Sequence, residues 1–189
     1  MSIDDKRNIR FRYMREDDLE LVMNWRMMPD ITKYMNTDPK LTLEGQKKWF
    51  YEKKKNPDNY LFMIEEDDTP IGVFTIVDLD RVNNRCSSGL YIGEKSRRSL
   101  GLTMRLEYSI QDFIFYTLNL NRTTAEIFSE NKGLIRINQM CGWEIEGVMK
   151  QHVYKNGVYH DITLLAVTKD RWEEYRKKCK YEQIPFLME

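Results

Sequence analysis

Two arginines, a serine and a glycine stand together in Arg97-Arg98-Ser99-Leu100-Gly101-Leu102-Thr103. The stretch lies between an apolar segment closing on Leu90-Tyr91-Ile92-Gly93 and a long amphipathic pattern reaching Leu118. A strand, a short basic loop with a glycine and then a helix make an anion cradle. The first N–H groups of a helix have no partner inside it, and the helix dipole favours negative charge there. Gly101 has no side chain to keep a phosphate off the backbone. This spacing points to a pyrophosphate-bearing cofactor. An ordinary strand-to-helix turn can have the same composition, so the loop needs support from elsewhere in the chain.

Other groups could do chemistry. His152 and His160 are the two histidines and flank Lys155-Asn156-Gly157. Imidazole titrates near neutral pH and could act as a base; a structural role is the commoner use of a strand histidine. Asp161 could pin that hairpin or reach an acceptor. Arg26 could hold a substrate phosphate, with a surface ion pair to Glu16 or Asp30 as the alternative. Trp25, Met28 and Met35 could contact substrate or pack a core. Cys86, Cys141 and Cys179 lack metal-ligand spacing, so unpaired thiols in a reducing compartment and no metal site are expected.

The elements that must position these groups follow from pattern. Residues 9–13 alternate apolar with basic, as a half-buried strand does. Helical spacing runs over 19–25 and stops at Pro29, and 31–35 could add a short turn. Thr42 is an N-cap for a helix carrying Trp49 and running to Lys55. Strands at 60–65, 71–79 and 86–92 read as an antiparallel meander. A helix over 102–118, a strand over 122–128 and a helix over 131–140 come next. An Asn-Gly hairpin joins 144–154 to 158–167. A helix over 169–180 closes the chain, and the last nine residues look irregular. The result is an α/β (α+β) domain: a mixed, mostly antiparallel, twisted sheet of about seven strands flanked by helices.

Composition excludes several classes. Lys+Arg and Asp+Glu both number 30, so the formal net charge is zero, which argues against a nucleic-acid partner. Hydrophobic residues are 41% of 189, enough for one domain spanning 1–189 with a substantial core. No apolar run approaches bilayer length, and the acidic start Met1-Ser2-Ile3-Asp4-Asp5 lacks a signal-peptide core. A cytoplasmic protein without a membrane partner is expected.

The arrangement resembles the Gcn5-related N-acetyltransferase (GNAT) superfamily. Arg98-Ser99-Leu100-Gly101-Leu102-Thr103 is similar to its phosphate loop, Gln/Arg-x-x-Gly-x-Gly/Ala, with Thr103 in place of the second small residue. Asn131-x-x-Leu134-Ile135, followed by Gly142-Trp143, is similar to its Asn-x-x-Ala-x-x-x-Tyr-x-x-x-Gly-Phe. The resemblance implies transfer of acetyl from acetyl-CoA to an amine by direct attack. It places Arg97 and the 98–103 backbone on the pyrophosphate, the strand ending Leu90, Tyr91, Ile92 along the pantetheine, and Asn131 and Asn138 beside it. Asn138 stands where many relatives carry an acidic tyrosine. The strand over 86–92 has no carboxylate where relatives often keep a base, which leaves Tyr91, Glu130 and Asn138 itself as the candidate catalytic residues.

The N-terminal third carries a narrower resemblance. Trp25-Arg26-Met27-Met28-Pro29-Asp30-Ile31, Met35 and Gln46-x-x-Trp49 look like the amino-sugar acetyltransferases of pseudaminic-acid biosynthesis, with Met27 where asparagine and Gln46 where histidine is usual. The ending around Tyr159-His160-Asp161 agrees. This implies a small-molecule amine acceptor, an amino-sugar nucleotide, touching Arg26, Met28, Trp49 and His160, in a monomer or homodimer. Similar patterns occur in ribosomal-protein and spermidine acetyltransferases, and a silent acyl-CoA-binding module is the alternative outside catalysis.

Overall fold

The computed structural model describes Ile3 and residues 5–188, so most of the acidic start read above lies outside the described residues. Strand β1 (Ile9–Tyr13) leads through a turn at Glu16–Asp18 into α1 (Leu19–Arg26), the short α2 (Pro29–Thr32) and α3 (Leu43–Lys54). The meander β2 (Tyr60–Glu66), β3 (Thr69–Asp80) and β4 (Arg85–Ile92) follows, then α4 (Leu100–Asp112), β5 (Arg122–Phe128) and α5 (Lys132–Met140). The hairpin β6 (Glu144–Lys155) and β7 (Val158–Thr168), α6 (Lys169–Arg176) and β8 (Phe186–Leu187) complete the order. One sheet runs β6-β7-β5-β4-β3-β2-β1-β8. It is antiparallel except where β4 meets β5 and β1 meets β8.

Local chemistry accounts for the turns. Asp67 and Asp68 between β2 and β3, and Asn156 and Gly157 between β6 and β7, all have positive φ. That geometry matches the twist of paired strands. Thr42 caps α3 by accepting the Gly45 N–H at 3.1 Å. Period-two alternation then divides the core. Phe62 and Ile64 of β2 pack with Leu102, Leu106 and Phe113 on the α4 face. Leu61 and Met63 pack with Leu19, Trp25 and Phe50 on the α1–α3 face.

Several boundaries differ from expectation. The long helix begins at Leu100 rather than Leu102, and passes into a π-helical turn at Phe113–Thr117. The last helix ends at Arg176. The tail expected to be irregular supplies an eighth strand, because Phe186 stacks between Phe11 (4.1 Å) and Phe113 (4.0 Å). Two aromatic neighbours distant in sequence order a segment with no pattern of its own.

Arg12 ties three elements together. Its guanidinium donates to both Asp18 oxygens (2.7 and 2.8 Å) and to Glu65 Oε1 (2.6 Å), all three residues being buried. Such a group is costly to break, since Asp18 would be left a buried charge without its cation, while Glu65 would keep Arg10 alone at 2.7 Å. Arg12→Leu is expected to lower unfolding stability by about 3–5 kcal/mol, read as a lower urea midpoint at unchanged m-value.

Candidate active site

β4 and β5 pair only over Arg85–Ser87 with Arg122–Thr124. Side-chain hydroxyls pin the point where they part. Ser87 Oγ lies 3.0 Å from Thr124 Oγ1, and Thr123 Oγ1 donates to Ser88 Oγ at 3.2 Å. Beyond Ser88, β4 has no strand partner on that side. A cavity of about 800 Å³ occupies the opening, within the range of small-molecule sites. Arg98 and Thr103 line it where α4 begins, and Arg26, Tyr34, Gln46 and Trp49 line it on the α1–α3 side.

Two wall atoms test whether a polar ligand fits. Tyr91 Oη and Asn138 Oδ1 are buried without a hydrogen-bond partner among the described residues, and both residues line the cavity. Buried polar groups are nearly always paired, so both positions call for a ligand to supply the partner. The donors at the head of α4 fit as well. Ser99 Oγ takes the Leu102 N–H at 3.2 Å, while the Leu100 and Gly101 N–H groups make no bond among the described residues. Arg98 braces this loop: Nε and Nη2 donate to the Ile92 and Gly93 carbonyls, and Nη1 pairs with Asp30 at 2.6 Å. Gly93 must be glycine, because a Cβ there would enter the Trp25 ring.

The cavity has two chemically different faces. On the α1–α3 face, burial holds the Tyr91 phenol protonated far above its usual range, with Arg26 close enough to oppose that shift. Arg26 forms no ion pair among the described residues; its guanidinium is turned to Met35 Sδ. On the α4–α5 face, Glu107 is buried, lines the cavity and accepts from Trp143 Nε1 at 3.2 Å. Burial pushes its carboxyl up to about 7, against the Trp143 bond, which lowers it.

The structure brings Arg26, Trp49, Leu90, Tyr91, Ile92, Arg98, Thr103, Asn131 and Asn138 to one cavity. Arg97, Ser99, Leu100, Gly101 and Leu102 form its flank without lining it. Four expected residues stand elsewhere. Met28 is 37% exposed at the start of α2, so it neither packs the core nor lines the cavity. Glu130 pairs with His160 Nδ1 at 3.1 Å, and neither lines the cavity, so Glu130 is not placed as its base. Asp161 pins the hairpin, accepting the Gln151 N–H and the Lys150 ammonium. The ion pair considered for Arg26 does not form, because Asp30 is taken by Arg98 and Glu16 by Lys47. Asn131 caps α5 by accepting the Leu134 N–H at 3.3 Å. Sequence reading missed Glu107. Its signal was a lone carboxylate at helical spacing between Thr103 and Ile110, where an apolar residue is the rule.

The family model of the acetyltransferase (GNAT) domain matches residues 8–144. The chain belongs to this family, whose members are acetyl-CoA-dependent acetyltransferases. Among relatives, the Probable N-acetyltransferase YjcK of Bacillus subtilis is 27% identical, over 70% of this chain and 76% of that one. Acetyltransferase PseH of Campylobacter jejuni is 24% identical, over 68% of this chain and 78% of that one. The spermidine N-acetyltransferase of Vibrio cholerae, solved with CoA and spermine, shares the fold: TM-score 0.83 at 17% identity, over 88% of this chain and 98% of that one.

The Glu107 carboxyl carries a stability consequence. An unfolded glutamate ionises near 4.5, the native one near 7. Between those values the native state keeps a proton that the unfolded chain releases, so stability falls as pH rises and levels off above 7. The loss is on the order of 3 kcal/mol. Urea titrations at pH 5 and 8 are expected to show Glu107→Gln gaining on the wild type by that amount at the higher pH.

Proposed function

We propose that the chain, acting as one acetyltransferase unit, moves acetyl to a primary amine of a small acceptor that carries an anionic group, an amino-sugar nucleotide. The observation behind this reading is Arg26, a half-buried guanidinium in the cavity wall with no carboxylate partner among the described residues, and the half-buried Trp49 that lines the same cavity. Arginine suits bidentate binding of phosphate, and an indole offers a flat face to a base or sugar. The narrower amino-sugar resemblance agrees. A polyamine would be better served by carboxylates, and Glu126 and Glu107 are the acidic residues that line the cavity. Unpaired cysteines fit a cytoplasmic setting, and the described residues hold no helix long and apolar enough to cross a membrane.

Acetyl-CoA supplies acetyl as a thioester, activated toward an amine. The Leu100 and Gly101 N–H groups would hold its pyrophosphate at the α4 dipole, with Thr103 and the Arg98-braced loop around them. The free side of β4, through Leu90 and Ile92, would take the pantetheine as a sheet edge takes a peptide. The Asn131 amide would donate to it. Tyr91, kept protonated by burial, would hydrogen-bond the incoming amine and fix its approach. Arg26 and Trp49 would set the acceptor's register.

Calorimetry should show acetyl-CoA binding; no heat and no thermal shift would dispose of the reading. Gly101→Glu is expected to weaken that binding at least about tenfold through repulsion at the cradle. A Cβ there meets only Asp5 at ordinary contact distance, so the fold tolerates the change. In a screen of UDP-linked amino sugars, polyamines and peptides monitored by thiol release, the nucleotide sugars should react. Arg26→Gln should then raise the acceptor KM about 10-fold or more while the acetyl-CoA KM stays put.

A further inference from the structure

We infer that Glu107 is the proton donor of this cleft: its carboxyl, carried by α4 into the wall that also holds Asn138, protonates the sulfur released when the amine takes the acetyl group. The inference rests on the reading of the cavity as the acetyl-CoA site.

Geometry carries the argument. β4 alternation sends Leu90 to the α4 face and Tyr91 to the α1–α3 face. The proposed acceptor groups Arg26, Trp49 and Tyr91 therefore share one face, and Glu107 belongs to the other. Thr103, Glu107 and Ile110 line the cavity at successive turns of α4, so Glu107 sits a turn deeper than Thr103, along the path from the pyrophosphate cradle inward. Trp143 Nε1 holds Oε2, and Oε1 has no partner among the described residues. The indole orients the carboxyl and leaves one oxygen for a ligand. Asn138 has no acidic proton, so on this face Glu107 is the group able to give one.

The surroundings suit the role. The other ionisable groups of the cavity are Arg26 from α1, Tyr34 after α2, Tyr91 from β4, Arg98 ahead of α4 and Glu126 from β5. Cys141, at the end of α5, is the titratable neighbour from the helix packed beside it; burial, then the Glu107 charge, keeps its thiol protonated. A carboxyl that titrates near 7 holds a proton through much of the neutral range and can still release it. The step balances: an N–C bond forms and the C–S bond breaks. The electron pair stays on sulfur, which takes the Glu107 proton; the surplus proton of the amine goes to water, and the carboxylate regains one from solvent.

The test uses CoA itself on the full chain. Thiolate absorbance of bound CoA is followed against pH in wild type and Glu107→Gln, an isostere that still accepts from Trp143. With the carboxylate gone, repulsion on the thiolate is gone, and the bound thiol should ionise about one pH unit lower. In ligand-free protein the Trp143 indole N–H resonance should titrate with a midpoint of about 7 and lose that transition in Glu107→Gln. Identical thiol titrations in two proteins that both bind CoA would overturn the inference and leave the cleft reading standing. Loss of CoA binding in the variant alone would make Glu107 a binding group and also overturn it. Failure of the wild type to bind CoA would overturn the cleft reading, and this inference with it.

Discussion

β4 and β5 stop pairing after Ser87 and Thr124, and the backbone freed by that divergence is what the site is built on. Parallel neighbours in the middle of a sheet would ordinarily continue their ladder, because unpaired buried backbone groups are costly. Here a hydroxyl cluster (Ser87, Ser88, Thr123, Thr124) holds the strands at one end. The helices α4 and α5 fill the ground beneath the gap, so the strands cannot close. The opening is a fixed cost in the ligand-free chain, recovered when a polar molecule completes the edge of β4. Arg98 serves the same end from the other side: it spends its guanidinium on the Ile92 and Gly93 carbonyls and so fixes the last residues of the exposed strand.

The polar groups left unpaired have the same logic. Tyr91, Asn138 and the free Glu107 oxygen would each be unfavourable in a sealed core. They are tolerated because the surrounding packing is dense. Trp25 and Trp143 are almost fully buried on either face of the cleft, and each indole N–H is spent on a carboxylate, Glu94 and Glu107. Stability stored in the two apolar clusters thus supports a strip of uncompensated polarity between them, which is where binding energy can be gained.

Much of this was legible in the residues. The meander, the crossover and the Asn-Gly hairpin follow from period, turn chemistry and caps, and the 98–103 loop stands where its composition placed it. What escaped depended on tertiary partners. Phe186 becomes a strand because of Phe11 and Phe113, which no local pattern announces. Glu130 and His160 looked like acid–base candidates and turn out to satisfy each other. Glu107 was hidden for the opposite reason: its place on the apolar stripe of α4 was the one local sign, a lone glutamate otherwise reads as solvated, and the packing of Trp143 and α5 over it makes it a buried acid.

The acceptor side shows how a distant turn can shape a pocket. Lys155, at the end of β6, is buried and donates to the Thr32 and Met35 carbonyls at 2.6 and 2.9 Å. It also pairs with Asp38 at 2.9 Å, and Asn156 Nδ2 donates to the same carboxylate. The hairpin therefore clamps the segment that carries Tyr34, Met35, Asn36 and Thr37 into the cavity wall. A buried ammonium with three oxygen partners is expensive to release, since each bond lost leaves a charge without solvation. A wall held this way does not open easily to admit a polypeptide chain. Under the function proposed above, such a wall favours a small acceptor over a polypeptide, and the turn at Asn156-Gly157 helps to set the size of the pocket.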